Sequence, residues 1–202
     1  MEEDRREEKI VMNTSAAWKQ VYILFLSSIL GVLFIVSTCT TTFAAPSLAT
    51  GKKEAPMKLT SPAFEPGQPI PSQYTCDGAN HHLPLTIAQV PREAQSLALV
   101  VEDPDAPTKV FTHWLIYDLP PSTQHILEQE APSGGTEGVN DFGTRGYKGP
   151  CPPSGTHHYV FRLFALDTRL ALPEGMKKED VLAKLKGHVL ATAELVGTYK
   201  RG

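Results

Sequence analysis

Three observations predict a mainly β protein built from antiparallel strands. The 202-residue chain carries 17 Pro and 15 Gly, enough turn formers to cut it into many short segments. Apolar, β-prone runs stand between those turns, at residues 96–101, 113–119 and 159–166. Near the C-terminus Ala193, Leu195, Gly197 and Tyr199 alternate with Thr192, Glu194, Val196 and Thr198, a period of two that reads as a last strand.

The elements follow in order. Residues 57–61 form a short edge-type strand, which Pro62 stops. Residues 85–87 are a second strand. Residues 96–101 are a third, and they deliver Glu102, Asp103, Pro104, Asp105, Ala106 and Pro107 at their end. A hairpin length later comes the strand 113–119. Residues 123–138, with Gly134-Gly135, read as a loop, and residues 143–156 as a long loop of the kind that carries function. The strand 159–166 is apolar on one face and mixed on the other. One helix is expected: Glu179 and Asp180 fill its first turn, and Val181, Leu182 and Leu185 make an apolar stripe. Lys184 and Lys186 lie in its last turn, before Gly187. No internal repeat is visible, and the length suits one domain.

Residues 1–44 differ in kind and are read as a signal peptide or N-terminal anchor, with a linker at 45–56 and the domain at 57–202. The uncharged apolar run 21–36 is short for a membrane span of ~20 residues and suits a signal-peptide core. Thr42-Phe43-Ala44 approximates a cleavage site. Residues 1–9 mix acidic and basic side chains, unlike a standard leader, and a start at Met12 would leave only Lys19 ahead of the run. Export to the periplasm or the medium is expected. The alternatives are an uncleaved anchor, or a lipoprotein at Cys39, where Thr38 is a poor preceding residue. Membrane association is expected only through this segment. Net charge is −3 with Lys and Arg scattered, so no nucleic-acid partner is expected.

The chemistry concentrates in Gly149, Pro150, Cys151, Pro152, Pro153, Ser154 and Gly155, followed by Thr156, His157, His158 and Tyr159. Prolines stiffen this loop and glycines let it approach a ligand. The groups left to act are backbone N–H, His and Tyr, a set suited to holding an anion rather than breaking a bond. Ser154 reads as a turn residue, since no Gly-x-Ser-x-Gly elbow exists. No metal is expected. Neighbouring histidines on a strand (His81-His82, His157-His158) point opposite ways, and no Cys-x-x-Cys is present. Cys76 and Cys151 remain in the domain, and an even pair in an exported protein permits a disulfide, which would remove Cys151 as a nucleophile.

These residues together resemble the phosphatidylethanolamine-binding protein family, in its bacterial Raf-kinase-inhibitor-like branch. The matching pieces, in order, are Tyr74-Thr75-Cys76-Asp77-Gly78, Asp103-Pro104-Asp105-Ala106-Pro107, His113-Trp114, Asn140-Asp141-Phe142-Gly143 and Gly146-Tyr147. The tail Gly187-His188-Val189-Leu190-Ala191 with Ala193-Glu194-Leu195 also fits, so the resemblance runs over residues 57–201. It implies a sandwich of two antiparallel β-sheets with a peripheral C-terminal helix. It implies a ligand pocket built from Asp103, with Asp105 beside it, His113, His157 and Tyr159, and a loop wall of Gly149, Pro150 and Pro152. It also places the Cys76 and Cys151 loops near that same pocket. The function implied is binding, not catalysis, and needs no cofactor. The ligand would be a small anion such as phosphate, a phosphomonoester or a phospholipid head group, with regulation of an unidentified partner protein as a further role. The alternatives are a kinase or protease inhibitor acting by its surface without a small ligand, and a hydrolase.

Some positions depart from the family pattern. His81-His82-Leu83-Pro84-Leu85 stands in place of a Ser-Pro-Pro-Leu-like run, Ile87 in place of Trp, and His158 in place of an Arg at the pocket rim. An anion beside Asp103 also demands an extra proton. Either a protonated His113 lies between the two, or the phosphate keeps a proton and donates it to Asp103. Both arrangements predict tighter binding as pH falls from about 8 to 6.

Overall fold

The computed structural model describes residues 55–130 and 132–202. The expected signal or anchor segment and most of the linker lie outside the described residues. No helix among the described residues is long and apolar enough to cross a membrane.

Among the described residues, eight strands and one α-helix follow in sequence: β1 (Lys58–Thr60), β2 (Leu85–Ala88), β3 (Ser96–Asp103), β4 (Phe111–Leu119), β5 (His125–Ile126), β6 (Thr136–Glu137), β7 (Thr156–Leu166), α1 (Lys178–Leu185) and β8 (Val189–Lys200). They form a three-stranded sheet, β1-β2-β5, and a five-stranded sheet, β6-β4-β3-β7-β8. Every pairing within the sheets is antiparallel. The loop expected at 123–138 contains the two-residue strands β5 and β6, which pair with β2 and β4. Strands this short leave no period to detect in the sequence.

The period of two sorts the apolar residues into two cores. Leu97, Leu99 and Val101 of β3, Trp114 and Ile116 of β4, and Phe161 and Leu163 of β7 face Leu59, Leu85 and Ile87 of the small sheet. The intervening Ala98, Val100, Leu115 and Tyr117 pack under Val181 and Leu185 of α1. This explains why residues 96–101 are apolar without alternation: the strand is covered on both faces. Each large side chain so buried contributes about 1.5–3 kcal/mol. The helix begins without a side-chain cap at Lys177 and ends before Gly187, whose φ of +88° closes the last turn.

Two local features position the loops. Residues 67–70 run beside β8, with Gly67 N–H donating to the Val196 carbonyl and Ile70 N–H to the Thr198 carbonyl, both at 2.7 Å. Gly197 has no room for a side chain there, since a Cβ would come within 2.6 Å of Ile70 Cγ1. In the β3–β4 ladder a register shift falls between Val101, opposite Trp114, and Glu102, opposite Thr112. His113 is the extra residue of this bulge, the usual device for re-aiming a side chain at a sheet's end.

Candidate functional site

The ends of β3, β4 and β7 meet around a cavity of about 220 Å³. Asp103 comes from the last position of β3, Phe111 and His113 from the start of β4, and His157 from the start of β7. Ala106, Pro107 and Thr108 from the β3–β4 turn, with Phe142, Cys151 and Pro153 from two loops, complete the wall. Polar groups gather here because strand ends release backbone to turns. Phe111 and His113 enter the cavity together because they are two residues apart, while Thr112 between them faces the other way.

Asp103 is buried and fixed at both oxygens. Its Oδ2 accepts from His157 Nδ1 at 2.7 Å, and its Oδ1 accepts from the Asp105 N–H at 2.9 Å. A carboxylate only accepts, so the His157 proton lies on Nδ1 and Nε2 is the ring nitrogen left for a ligand. His113 is anchored differently. Its Nδ1 donates to the Lys148 carbonyl at 2.6 Å, and the Lys148 N–H donates back to the His113 carbonyl at 3.1 Å. Phe111, Phe142 and Tyr159 surround its ring edge-on at 5.4, 5.6 and 5.2 Å between centroids. Burial lowers the His113 pKa, and it outweighs the opposing pull of the Lys148 carbonyl and of Asp103. His113 is therefore a neutral imidazole.

Tyr159 is fully buried against His113, and its hydroxyl lies beside the Cys151 backbone and the Asp103 carboxylate. Burial first, and Asp103 second, push its pKa far up, so it keeps its proton. Phe142 is held in place by Asn140. The Asn140 Oδ1 accepts from the Phe142 and Thr144 N–H groups at 3.0 and 3.2 Å, while its Nδ2 donates to the Gly146 carbonyl at 2.8 Å.

The expected site residues fall into two groups. Asp103, His113 and His157 line the cavity, with Tyr159 packed behind His113. Asp105, Gly149, Pro150 and Pro152 are not among its lining residues. Asp105 is an exposed rim residue whose Oδ2 accepts from both the N–H and the Nδ1 of His158, each at 2.7 Å. Those two donors, the backbone one foremost, lower its pKa. Gly149 is required by packing rather than by a ligand: a Cβ would lie 2.3 Å from the Tyr74 carbonyl oxygen. Its N–H is already taken by Asn80 Oδ1 at 2.8 Å, so it offers no donor to an anion. Pro150 is buried and its carbonyl accepts from the Cys76 N–H at 3.1 Å.

The sequence did not place Phe111, Pro107, Phe142 or Pro153 on the cavity wall. The spacing of Phe111 from His113 was the available signal. Cys76 and Cys151 form a disulfide across 75 residues with Cα atoms 5.4 Å apart, so Cys151 is no nucleophile.

A larger cavity, of about 380 Å³, lies on the far side of the Thr112 and Asp141 wall. Lys109, Lys177 and Lys178 line it. Two of these lysines are committed to carboxylates, Lys178 to Glu102 at 2.7 Å and Lys109 to Asp141 at 2.6 Å. The departures at His82 and His158 also have local explanations. His82 stacks on Trp114 at 4.7 Å and hydrogen-bonds the Glu130 carbonyl, while His158 engages Asp105. Among the described residues no group of three or more His, Cys, Asp or Glu is placed to hold a metal ion.

Comparison with known proteins identifies the family. The family described as Phosphatidylethanolamine-binding protein matches residues 60–200. A UPF0098 protein of Methanothermobacter thermautotrophicus is 53% identical over 151 residues, 72% of this chain and all of that one. A solved structure of a putative phosphatidylethanolamine-binding protein homolog from Chlamydia trachomatis covers 73% of this chain and 99% of its own. It is 43% identical, with a TM-score of 0.71. An Escherichia coli structure described as a new member of the mammalian PEBP family is 30% identical. It covers 73% of this chain and all of its own, with a TM-score of 0.69. With two antiparallel sheets, a peripheral helix and this match over nearly all of the described domain, the chain belongs to the phosphatidylethanolamine-binding protein family.

Proposed function

We propose that the protein is a binding protein, not an enzyme, and that the Asp103–His157 cavity holds a phosphoryl oxyanion of the phosphomonoester or head-group type. One observation carries the reading: Asp103, His113 and His157, from three different strands, converge on a single cavity. The wall has one carboxylate and no lysine or arginine, so an anion binds there only with an added proton.

The expectation that His113 carries that proton is revised by its burial, which keeps it neutral. His157 suits the role instead. Protonated, it would face Asp103 through Nδ1 and the anion through Nε2. Alternatively a phosphomonoester supplies the proton itself, since its second pKa is about 6. The two nucleophile candidates of the long loop are out of place: Cys151 is in a disulfide, and Ser154 is exposed and off the wall. Export is part of the proposal and rests on the apolar run 21–36. Regulation of a partner protein would be a consequence of ligand occupancy.

Calorimetric titration with O-phosphoethanolamine (a monoester) and glycerophosphoethanolamine (a diester) tests the reading. Monoester binding should tighten as pH falls from 8 to 6. If the protein carries the proton, the diester follows the same trend; if the ligand carries it, the diester is flat. His157→Ala should weaken binding by about 1.5–3 kcal/mol, the worth of a charge-assisted hydrogen bond. Equal binding by wild type and variant, or no binding by either ligand, would remove the cavity from the account.

A further inference from the structure

The disulfide lies on the cavity wall, and this placement has consequences beyond stability. Backbone hydrogen bonds hold the long loop as far as Pro150: Lys148 N–H to the His113 carbonyl at 3.1 Å, and Cys76 N–H to the Pro150 carbonyl at 3.1 Å. The side chain of Asn80 adds its bond to the Gly149 N–H at 2.8 Å. The next ladder pair is Thr156 opposite Lys200. Between them, among the described residues, no backbone–backbone hydrogen bond involves residues 151–155. Pro153, Ser154 and Gly155 are exposed, and Gly155 has a φ of +71°. Three prolines in the loop withhold donors, so it cannot easily replace a lost tether with new backbone bonds. Two of the cavity's lining residues, Cys151 and Pro153, belong to this stretch. Its covalent attachment to neighbouring structure is the bond to Cys76, and Cys76 is exposed.

We propose that the Cys76–Cys151 disulfide is a thiol-sensitive latch on the wall of the Asp103–His157 cavity, opened by a dithiol reductant to lower ligand affinity. The affinity part rests on the reading of that cavity as the ligand site. The chemistry is ordinary exchange. A thiolate of the dithiol attacks the Cys76 sulfur, breaking the Cys76–Cys151 bond, and the electron pair leaves on the Cys151 sulfur, which takes a proton. The second thiol of the reductant then closes on the first, releasing Cys76 as a thiol. The dithiol is oxidised to a disulfide, and the protein gains two electrons and two protons. With the bond open, Cys151 and Pro153 must be re-ordered each time a ligand binds. Buried Pro152 keeps the loop from detaching altogether.

The test compares oxidised wild-type protein with the same protein reduced by dithiothreitol and then reoxidised. Hydrogen exchange at the amides of Cys151, Ser154 and Gly155 and affinity for O-phosphoethanolamine are both measured. Reduction should speed exchange at those three amides within minutes, while core amides of β3 and β7 stay protected. It should also weaken binding roughly tenfold, the scale of ordering two wall residues on association. Reoxidation should restore both. Cys76→Ser should match the reduced protein and ignore dithiothreitol; if that variant does not fold, the reversible cycle on wild type carries the test. Unchanged exchange overturns the latch, as does faster exchange with unchanged affinity. Complete exchange of the core amides over the same minutes would mean that reduction unfolds the whole domain rather than freeing the wall, and also overturns it. If the oxidised protein does not bind the probe, the reading of the cavity falls, and the exchange comparison still decides whether its wall is latched.

Discussion

The burial of His113 makes a quantitative prediction about acid stability. The side chain is 3% exposed, sits in a ring of aromatic edges, and gives its Nδ1 proton to the Lys148 carbonyl. Its folded pKa is lowered from 6.5, the value it regains on unfolding. Below 6.5 the unfolded chain therefore binds a proton that the folded protein refuses. Stability falls as pH drops through that value and stops falling at the lower folded pKa. One proton sets a limiting slope of about 1.4 kcal/mol per pH unit. Between pH 6 and 5 the loss attributable to His113 is bounded above by about 1.2 kcal/mol in that linkage relation. With a urea slope of about 2 kcal/mol/M, the midpoint moves down by at most about 0.6 M.

Asp77 and Asp105 act in a different window. Their folded pKa values are lowered from 3.8, Asp77 by Arg201 foremost and Asp105 by His158, so their contributions are lost only as pH falls below that value. The assay is urea unfolding of wild type and His113→Gln at pH 7, 6 and 5. The variant, neutral throughout, should lose the smaller share of stability on acidification. Parallel losses in the two proteins would refute the argument that burial holds His113 neutral.

Gly149→Ala should destabilise the domain by about 1–3 kcal/mol by overpacking, read as a lowered melting temperature, because its Cβ would collide with the Tyr74 carbonyl and the Thr75 backbone. An unchanged melting temperature would mean that the loop relaxes at no cost. The disulfide closes a loop of 75 residues, which corresponds to about 4–5 kcal/mol in the chain-entropy relation, so a Cys76→Ser, Cys151→Ser double variant should unfold at clearly lower urea concentration. Coincident unfolding curves would show that the crosslink does not bias the denatured chain. N-terminal sequencing of protein from its own host should start near Ala45; a chain starting at Met1 or Met12 would end the export proposal.

Much of the fold was legible because burial writes itself into the sequence with a fixed period. β7 and β8 alternate as a half-buried strand must, and β3 is apolar from Leu97 to Val101 because both of its faces are covered. The helix was legible from its end charges and Gly187. β5 and β6 were not, since two residues carry no period and their pairing is decided by distant strands. The ends of β3 and β4 were understated because Glu102 and Asp103 look like turn residues. In fact Glu102 is buried against Lys178 at 2.7 Å, and Asp103 against His157.

At the site the histidines and Asp103 were visible as residue types at strand ends, but their partners were not. Nothing in the spacing says that Asp103 meets His157 rather than His113, because that depends on the register across β3 and β7 and on the bulge at His113. Gly149 was misjudged for a related reason. A glycine that lets a ligand approach and one that lets two backbone segments touch are the same letter, and the structure supplies the Tyr74 carbonyl as the neighbour.

The most direct test of the central claim is the electron density of crystals grown with O-phosphoethanolamine near pH 6. The phosphoryl group should lie in the cavity of about 220 Å³, within hydrogen-bonding distance of His157 Nε2 and beside Asp103 and His113. Density confined to the larger cavity among Lys109, Lys177 and Lys178, or none at saturating ligand, would contradict it.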